Sequence, residues 1–437
     1  MSAPQKDALA HIARIAGDLT PEEIERRLAP KFHPAPPAVP GATKSGPEVV
    51  EKRWALLSEG TSGRNQLADL AALDGHAAYT RNIENYIGTV KLPVGLVGPL
   101  RVNGLAAQGD YYLPLATTEA ALVASYHRGA MVITESGGCS VMTLNESVSR
   151  APAFAFDTLL EAGRFVQWCV GHQEEIRVAA EATTRHGRLR DLRFNVEGNH
   201  VYVICEFTTG DASGQNMVTI AAQAICEHLQ ANCPVKPAYY FVEGNFSGDK
   251  KPSAQSFLGV RGKKVTAEVR IPRAVIERRL HTTPERMMEY WHISSIGGVL
   301  SGATGMQGHY ANGLAALFIA CGQDAACVAE AAAGLTRFEL DPRDGGMLYA
   351  AVTLPNLIVG TVGGGTGLPS QHACLEILKL AGAGHARAFA EVCAGLVLAG
   401  EISITAALSS HQFTKAHARL ARGRVGNPPA NGSVTPS

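Results

Sequence analysis

The sequence predicts an α+β fold in which a small mixed unit is inserted into a larger, helix-rich domain. Between Phe154 and Tyr240 the residue pattern predicts helix, strand, strand, helix and strand, in that order. Residues 270–340 and 371–421 are helix-rich and flank a glycine-rich segment. A chain of 437 residues can bury a large core and accommodates two or three domains.

The first 85 residues are predicted to be a helical segment with a linker. Residues 20–23 place threonine at a helix cap, proline in the first turn and glutamate at the third position. A Pro/Ala/Gly-rich linker from His33 to Pro47 precedes helices that run to about Leu73.

The remaining chain is divided by the inserted unit. Strands and turns are predicted near residues 85–115, and a helix from Thr117, with Thr118 as its cap and Glu119 in its first turn. The inserted unit spans 152–241 and contains a hairpin at 196–203 and a helix at 216–230. Residues 86–151 and 242–423 form the larger domain, and 424–437 are expected to be a disordered tail.

Composition excludes several classes of protein. Lysine plus arginine and aspartate plus glutamate number 39 each, so the chain lacks the basic character of a nucleic-acid binder. The nine cysteines are scattered without a paired CxxC spacing, which indicates reduced, buried residues of a cytoplasmic protein and no metal site. No apolar signal or uninterrupted membrane-spanning run is present, so we expect a soluble protein without a membrane partner.

The loop at residues 243–254 carries the adjacent Lys250 and Lys251 behind Asp249, after a predicted strand. A desolvated ammonium held by a carboxylate stabilises negative charge that develops on oxygen. The alternative is a surface turn with two solvated lysines.

Two further residues suggest chemistry. Asp324 lies in an almost wholly apolar stretch that we predict to be helical, where a carboxylate needs a cationic partner. A purely structural ion pair is the alternative. His417, in a basic helix end, is either a proton donor or a surface histidine.

Two glycine-rich segments are candidates for binding a phosphate or a flat ring. Residues 209–216 follow a strand and open a helix, an arrangement that presents free backbone N–H groups to an anion. Residues 360–369 allow very close backbone approach, although either segment could be a simple turn. The absence of Walker, HExxH and GxSxG motifs sets aside phosphoryl transfer, zinc hydrolysis and serine hydrolysis.

Taken together, these segments resemble the 3-hydroxy-3-methylglutaryl-CoA (HMG-CoA) reductase family, in its soluble form without a membrane domain. The shared blocks occur in the family's order, from about residue 84 to 422. They are residues 84–88 (ENYIG), 93–100 (PVGLVGPL), 116–119 (ATTE), 210–217 (GDASGQNM), 248–252 (GDKKP), 322–326 (GQDAA), 360–366 (GTVGGGT) and 415–417 (KAH).

The resemblance implies reduction of an acyl-CoA thioester to a primary alcohol by two hydrides from NADPH, with NADH as the alternative donor. The substrate implied first is HMG-CoA, giving mevalonate for isoprenoid biosynthesis and free CoA. The implied fold has a large helical domain around a long central helix and an inserted, ferredoxin-like cofactor-binding domain. The implied assembly is a homodimer or higher homo-oligomer with active sites at the interface.

The resemblance also assigns roles to residues. Lys250 would stabilise the oxyanion, Asp324 would hold and tune that lysine, Glu119 would protonate the reduced oxygen, and His417 would protonate the departing thiolate. The cofactor-binding positions are Arg185, Asp211, Ser213, Gly214, Asn216, Val362, Gly363, Gly364 and Arg422. Ser125 and Arg128 match CoA contacts, Arg150 and Lys251 match residues that bind the distal carboxylate, and His309 and Asn312 match polar positions near the substrate.

The sequence departs from the family pattern in two pockets. Ser213 and Gln215 replace methionines of the dinucleotide loop. Glu243 replaces a serine, and Ser294 stands approximately where a lysine binds the acyl carboxylate. The local charge would change by about two units, which is unfavourable for a carboxylate-tailed acyl group. Two alternatives therefore stay open: a reductase of another acyl thioester, and a non-reducing homologue that binds CoA thioesters or acts as a lyase.

Overall fold

The structure is a computed structural model that describes residues 19–28, 37–41, 44, 46–57, 61–79, 82–343 and 346–410. The chain divides into two compact units between Thr89 and Val90. The sequence placed this boundary at residue 85, and the limits of the predicted domains stay predictions.

The N-terminal unit is built from short helices. The predicted cap is present: the Thr20 side chain accepts from the Glu23 N–H, and the Glu23 carboxylate accepts from the Thr20 N–H. Arg53 is 2% exposed and donates to the carbonyls of Pro40, Lys44 and Tyr86, which ties the linker to the helices. The helices are α1 Pro21–Leu28, α2 Pro47–Trp54, α3 Thr61–Leu67, α4 Leu70–Asp74 and α5 His76–Tyr79.

The second unit contains a sheet of ten strands within the described residues, in the path order β7-β4-β6-β3-β8-β10-β9. β1 pairs with β2 and, in parallel, with β3, while β5 pairs with β6. All other pairings are antiparallel, which suits the alternating burial along β8 and β10. The strands are β1 Val94–Gly104, β2 Gln108–Ala116, β3 Cys139–Arg150, β4 Ala153–Ala155, β5 Arg188–Glu197, β6 His200–Thr208, β7 Tyr239–Phe241, β8 Gly262–Pro272, β9 Leu335–Asp341 and β10 Met347–Leu357.

A long helix lies in the main core of this unit. Nearly every residue of the 24-residue helix α16 is buried, and the helix packs against α6, β3 and β8. It is long and apolar enough to cross a membrane, but 83% of its most apolar window is buried inside the protein. The helices are α6 Leu122–Glu135, α7 Leu159–Gly171, α8 Gln173–Glu181, α9 Gln215–Asn232, α10 Gln255–Leu258, α11 Arg273–Leu280, α12 Pro284–Ser301, α13 Tyr310–Ala320, α14 Val328–Ala331, α15 Pro369–Ile377 and α16 Ala386–Ser409.

A second, smaller core lies between helices α7, α8 and α9 and strands β4, β5 and β6. The predicted order of helix, strand, strand, helix and strand is confirmed, and the expected hairpin turns at Gly198 and Asn199. The α+β class and the long central helix are confirmed as well. All nine cysteines are buried and free, in agreement with the sequence-based interpretation.

Two local predictions were wrong. Helix α6 begins at Leu122 rather than Thr117, because the chain turns through Ala121 at a left-handed φ of 68°. Thr118 therefore does not cap this helix, and Glu119 precedes its first turn. Asp324 is not helical, because α13 ends at Ala320. Residues 270–340 are helix-rich as predicted, and strand β9 at the end of this region pairs with β10.

Candidate active site

The loop before β8 holds an exposed ion pair. The Lys250 Nζ lies 3.0 Å from Oδ2 of Asp324, and the two side chains are 42% and 41% exposed. The loop reaches this position through left-handed backbone at Gly248 (φ 76°) and Lys250 (φ 56°). Left-handed backbone costs a non-glycine residue about 1–2 kcal/mol, so surrounding contacts must hold Lys250 in place.

Asp324 is fixed by the turn that follows α13. The backbone at Gly322 is left-handed and packs against the Gly365 carbonyl, where a side chain would not fit. Asp324 then caps a short 3₁₀ turn at Ala325–Cys327, and its Oδ1 accepts from the Ala326 N–H at 3.0 Å. One carboxylate oxygen is thus used locally, and the other faces Lys250.

The pair stays charged over a wide pH range. The hydrogen bond to Asp324 raises the pKa of Lys250 above its ordinary value. Burial acts to raise the pKa of Asp324, but the hydrogen bonds from Lys250 and the Ala326 N–H outweigh it and lower that pKa. An ammonium that stays protonated can stabilise negative charge on a neighbouring oxygen.

This ion pair opens on a cavity of about 650 Å³ formed by the two predicted glycine segments. The segments touch: the Thr361 N–H donates to the Asp211 carbonyl at 2.9 Å, and Ala212 forms an isolated bridge with Val362. The predicted cofactor residues that line the cavity are Ser213, Gly214, Asn216, Val362, Gly363 and Gly364. The volume is within the range of small-molecule sites.

The protein backbone that lines the cavity is suited to binding a dinucleotide. Helix α9 begins at Gln215 after a left-handed Gly214, so its free N–H groups face the same region. A side chain at Gly363 or Gly364 would point into open space, which leaves room for a bound group at the backbone. Gln215, at a position where methionine is expected, places its amide 3.0 Å from Cys327 Sγ and 3.5 Å from Asp324 Oδ2.

Asp211 does not line the cavity. Its carboxylate accepts from the backbone N–H groups of Gly384 and Ala386, at the start of α16. These hydrogen bonds overcome the effect of burial and lower the pKa of Asp211. Asp211 therefore connects the first glycine segment to the start of the central helix α16.

Of the two arginines among the predicted cofactor-binding residues, Arg185 is exposed in the turn after α8. The preceding Thr184 hydroxyl contacts Met217 Sδ at 2.9 Å, and Met217 lines the cavity. Arg422, like His417, lies outside the described residues.

Glu119 is held by Asn312, whose Nδ2 donates to both carboxylate oxygens at 3.1 and 2.9 Å. The carboxylate does not line the cavity that contains Lys250. His309 precedes Asn312 by three residues, and its ring stacks on Tyr126. Its backbone N–H donates to Oε1 of the buried Glu401, and its Nδ1 lies 3.4 Å from the same oxygen.

The two residues that match CoA contacts meet α16. Ser125 Oγ lies 3.0 Å from Ser403 Oγ, and Arg128 Nη2 donates to the Ser403 carbonyl at 2.7 Å. Burial lowers the pKa of Arg128. Ser294 lies elsewhere, in a separate cavity that also contains Gly308 and Glu401.

The carboxylates of Glu243 and Asp249 share one cationic neighbour, Arg150. Arg150 Nη1 lies 2.7 Å from Asp249 Oδ2 and 3.7 Å from Glu243 Oε2. Lys251 donates to the Asp249 carbonyl at 2.7 Å, so its ammonium folds back on its own loop. Glu243 has a cationic neighbour, Ser294 lies in another cavity, and neither lines the cavity that contains Lys250, so the structure does not bring the two substitutions together in this chain.

Sequence reasoning missed the buried ionic residues behind this site. Arg261 and Glu330 are 2% and 0% exposed and form an ion pair at 2.5 Å. Glu330 interrupts an apolar stretch, and a carboxylate in such a stretch signals a paired charge. Its partner is distant in the chain and could not be chosen from the sequence.

Known proteins are similar to this chain in sequence and in fold. Residues 49–422 match the profile of the hydroxymethylglutaryl-coenzyme A reductase family. A 3-hydroxy-3-methylglutaryl-coenzyme A reductase of Pyrococcus horikoshii is 39% identical over 416 residues, covering 93% of this chain and 99% of that protein. The protein of the same name from Methanothermobacter thermautotrophicus is 43% identical over 354 residues, covering 80% of this chain and 88% of the other.

A solved structure gives the same fold. The class II 3-hydroxy-3-methylglutaryl-CoA reductase from Streptococcus pneumoniae, bound to NADPH in open conformations, matches with a TM-score of 0.63. The match covers 84% of this chain and 97% of that chain at 22% identity, so this likeness concerns the fold alone.

Proposed function

The chain belongs to the hydroxymethylglutaryl-coenzyme A reductase family, and we propose that it reduces HMG-CoA to mevalonate with NADPH, releasing CoA. The observation that carries this proposal is the Lys250–Asp324 ion pair at the mouth of a glycine-lined cavity. The pair supplies an ammonium that Asp324 keeps protonated, and the cavity supplies the backbone N–H groups that a dinucleotide phosphate needs.

Each proposed residue acts at a stated atom. NADPH, when bound, supplies the hydride for each of the two reductions. The Lys250 ammonium donates a hydrogen bond to the carbonyl oxygen of the substrate as that oxygen becomes negative, and Asp324 keeps the lysine charged. Glu119 gives a proton to the reduced oxygen, and His417 protonates the thiolate sulfur of CoA so that it does not return to the aldehyde.

We propose HMG-CoA rather than another acyl thioester because Glu243 has a cationic neighbour and Ser294 lies in a separate cavity. Glu243 is 3.7 Å from Arg150, which shields its charge from an incoming carboxylate. Arg150 lines the cavity, where it can contact a carboxylate-tailed acyl group.

The proposed assembly is a homodimer or a larger homo-oligomer whose active sites are completed across the interface. An exposed apolar face of α12 supports this, since its four large side chains are 62–82% exposed: Ile293, Ile296, Val299 and Leu300. The position of Glu119, outside the cavity of Lys250, also supports it. We propose a cytoplasmic location, in keeping with the nine free, buried cysteines.

The proposed function is tested with purified protein, HMG-CoA and each nicotinamide cofactor, by following the cofactor's absorbance and identifying the products. Two cofactor molecules oxidised for each mevalonate and each free CoA formed would support it. Binding of HMG-CoA without reduction, or reduction of acetoacetyl-CoA in preference to HMG-CoA, would contradict it.

Gly360→Ala is expected to weaken NADPH binding. A Cβ at this position would lie 2.5 Å from the Ser213 N and 2.7 Å from the Asp211 carbonyl oxygen. The two glycine segments would be forced apart, so we expect the KM for NADPH to rise by about tenfold or more, the effect of about 1.4 kcal/mol. Gly367→Ala is the matched control, because a Cβ there meets no atom within 4 Å. Equal cofactor affinity in the two variants would show that close packing of the segments is unimportant.

Arg185→Ala is expected to raise the KM for NADPH and leave that for NADH unchanged. The arginine is exposed next to a turn that contacts the cavity, where it can pair with the 2′-phosphate that only NADPH carries. Arg177→Ala is the control, because it removes an exposed arginine of α8 that is paired with Glu174. A wild-type enzyme that uses NADH as well as NADPH would refute this role.

A further inference from the structure

A single buried arginine, Arg261, contacts both of the segments that carry the catalytic ion pair. Its Nη2 lies 2.8 Å from Oδ1 of Asp249, the residue directly before Lys250. Its Nη1 lies 2.5 Å from Oε1 of Glu330, in helix α14, directly after the 3₁₀ turn that Asp324 caps. The same guanidinium therefore joins the lysine loop to the aspartate segment from the side away from solvent.

Arg261 is itself held in place. Its backbone N–H donates to Oδ1 of Asn356 on β10 at 2.9 Å, and its side chain is 2% exposed. The guanidinium donates a hydrogen bond to Glu330 through Nη1 and attracts the Asp249 carboxylate electrostatically at 2.8 Å from Nη2, whereas the single ammonium of a lysine has no second nitrogen. Arg261 is therefore anchored to the central sheet and not to either of the two segments that it contacts.

The other partners of the two carboxylates agree with this geometry. Arg150 Nη1 lies 2.7 Å from Oδ2 of Asp249. Each oxygen of the carboxylate before Lys250 therefore has its own arginine partner. Burial raises the pKa of Glu330, while Arg261 and the backbone N–H of Lys250 oppose that effect. Glu330 is thus electrostatically linked to the lysine loop as well as to Arg261.

We propose that Arg261 is a positioning residue that sets the separation of the Lys250 ammonium and the Asp324 carboxylate, by bracing Asp249 and Glu330 together. The inference rests on the proposed function, because it assigns Arg261 to the reductive step. It also explains how Lys250 retains left-handed backbone in a loop that is open to solvent.

The test separates positioning from simple core stability. Arg261→Met leaves Glu330 buried without its cation, so it is expected to lower both the melting temperature and kcat. Arg261→Met combined with Glu330→Met removes both buried charges, and the melting temperature is expected to recover because an apolar pair replaces the ion pair. The double variant still lacks the brace on Asp249, so kcat for HMG-CoA is expected to stay at least about tenfold below wild type.

The KM for NADPH is expected to be unchanged in the double variant, because Arg261 does not line the dinucleotide cavity. Arg193→Met is the matched control: Arg193 pairs with Glu206 at 2.5 Å and borders a different cavity together with Arg261. It is expected to keep the wild-type kcat.

A second readout does not depend on turnover. Labelling of lysine amines over a range of pH, read by mass spectrometry, compares Lys250 with the exposed Lys379 in the same sample. In the double variant Lys250 is expected to become reactive at lower pH, because its carboxylate partner is no longer held beside it. Wild-type kcat together with wild-type labelling in that variant would overturn the proposal. The other outcome is that the wild-type protein fails to reduce HMG-CoA while Lys250 of the double variant is labelled at lower pH than in the wild type. That result would keep the positioning role of Arg261 and contradict the proposed function.

Discussion

Replacing Lys250 by alanine is expected to abolish reduction of HMG-CoA while the protein stays folded and still binds CoA thioesters. The ammonium acts on negative charge that is present mainly in the transition state, so its loss lowers kcat more than it weakens binding. Loss of one preorganised donor of this kind typically lowers kcat by about 10²–10³-fold. Because Lys250 is 42% exposed, its removal leaves no large cavity and should have little effect on stability.

The measurement is steady-state kinetics with HMG-CoA and NADPH, together with thermal unfolding and CoA-thioester affinity for the same preparation. Lys236→Ala is the control, because Lys236 is an exposed lysine that donates to carbonyls at the end of α9. Turnover of Lys250→Ala close to wild type would remove this residue from the mechanism.

Asp324→Asn is expected to lower kcat and to move the alkaline limit of activity to lower pH. The change keeps the shape of the side chain and removes the charge that holds Lys250 at 3.0 Å. An ion pair between groups this exposed contributes about 0.2–1 kcal/mol, so we expect kcat to fall by up to about fivefold.

The direction of the pH effect follows from the two pKa shifts. The pKa of Lys250 is raised above its ordinary 10.5 by Asp324, so the pair's contribution is complete below pH 10.5 and is lost as the pH rises through the raised value. The pKa of Asp324 is lowered below its ordinary 3.8, so the contribution is complete above pH 3.8 and is lost as the pH falls through the lowered value.

The pH profile of kcat for the wild type and Asp324→Asn checks this expectation. Asp110→Asn is the control, because it makes the same chemical change in an exposed ion pair with Arg101. The neighbouring Gln323 is not used, because its side chain accepts a hydrogen bond from the Gly360 N–H. An unchanged alkaline limit in Asp324→Asn would mean that the carboxylate does not tune Lys250.

Much of the fold could be predicted from local patterns. The capping residues at 20–23, the hairpin at Gly198 and the start of α9 depend on neighbours in the chain, and all three were confirmed. The predicted start of α6 was wrong because Ala121 adopts a left-handed φ, which is uncommon for alanine and so cannot be expected from the sequence. Strand β9 was not predicted individually, because its pairing with β10 depends on residues distant from its own neighbours.

The sequence by itself determined which residue types can do the chemistry: a lysine loop, an isolated aspartate and two glycine segments. An isolated charge in an apolar stretch must be paired, and glycine permits backbone approach, so both inferences need only local information. The tertiary structure decided the partners. It placed Asp324 against Lys250, Arg150 against Glu243 and Arg261 between Asp249 and Glu330. The physical reason is that a charge in an apolar stretch, and above all a buried one such as that of Glu330, requires a partner that the local sequence does not specify, and the packing of distant strands and helices chooses it.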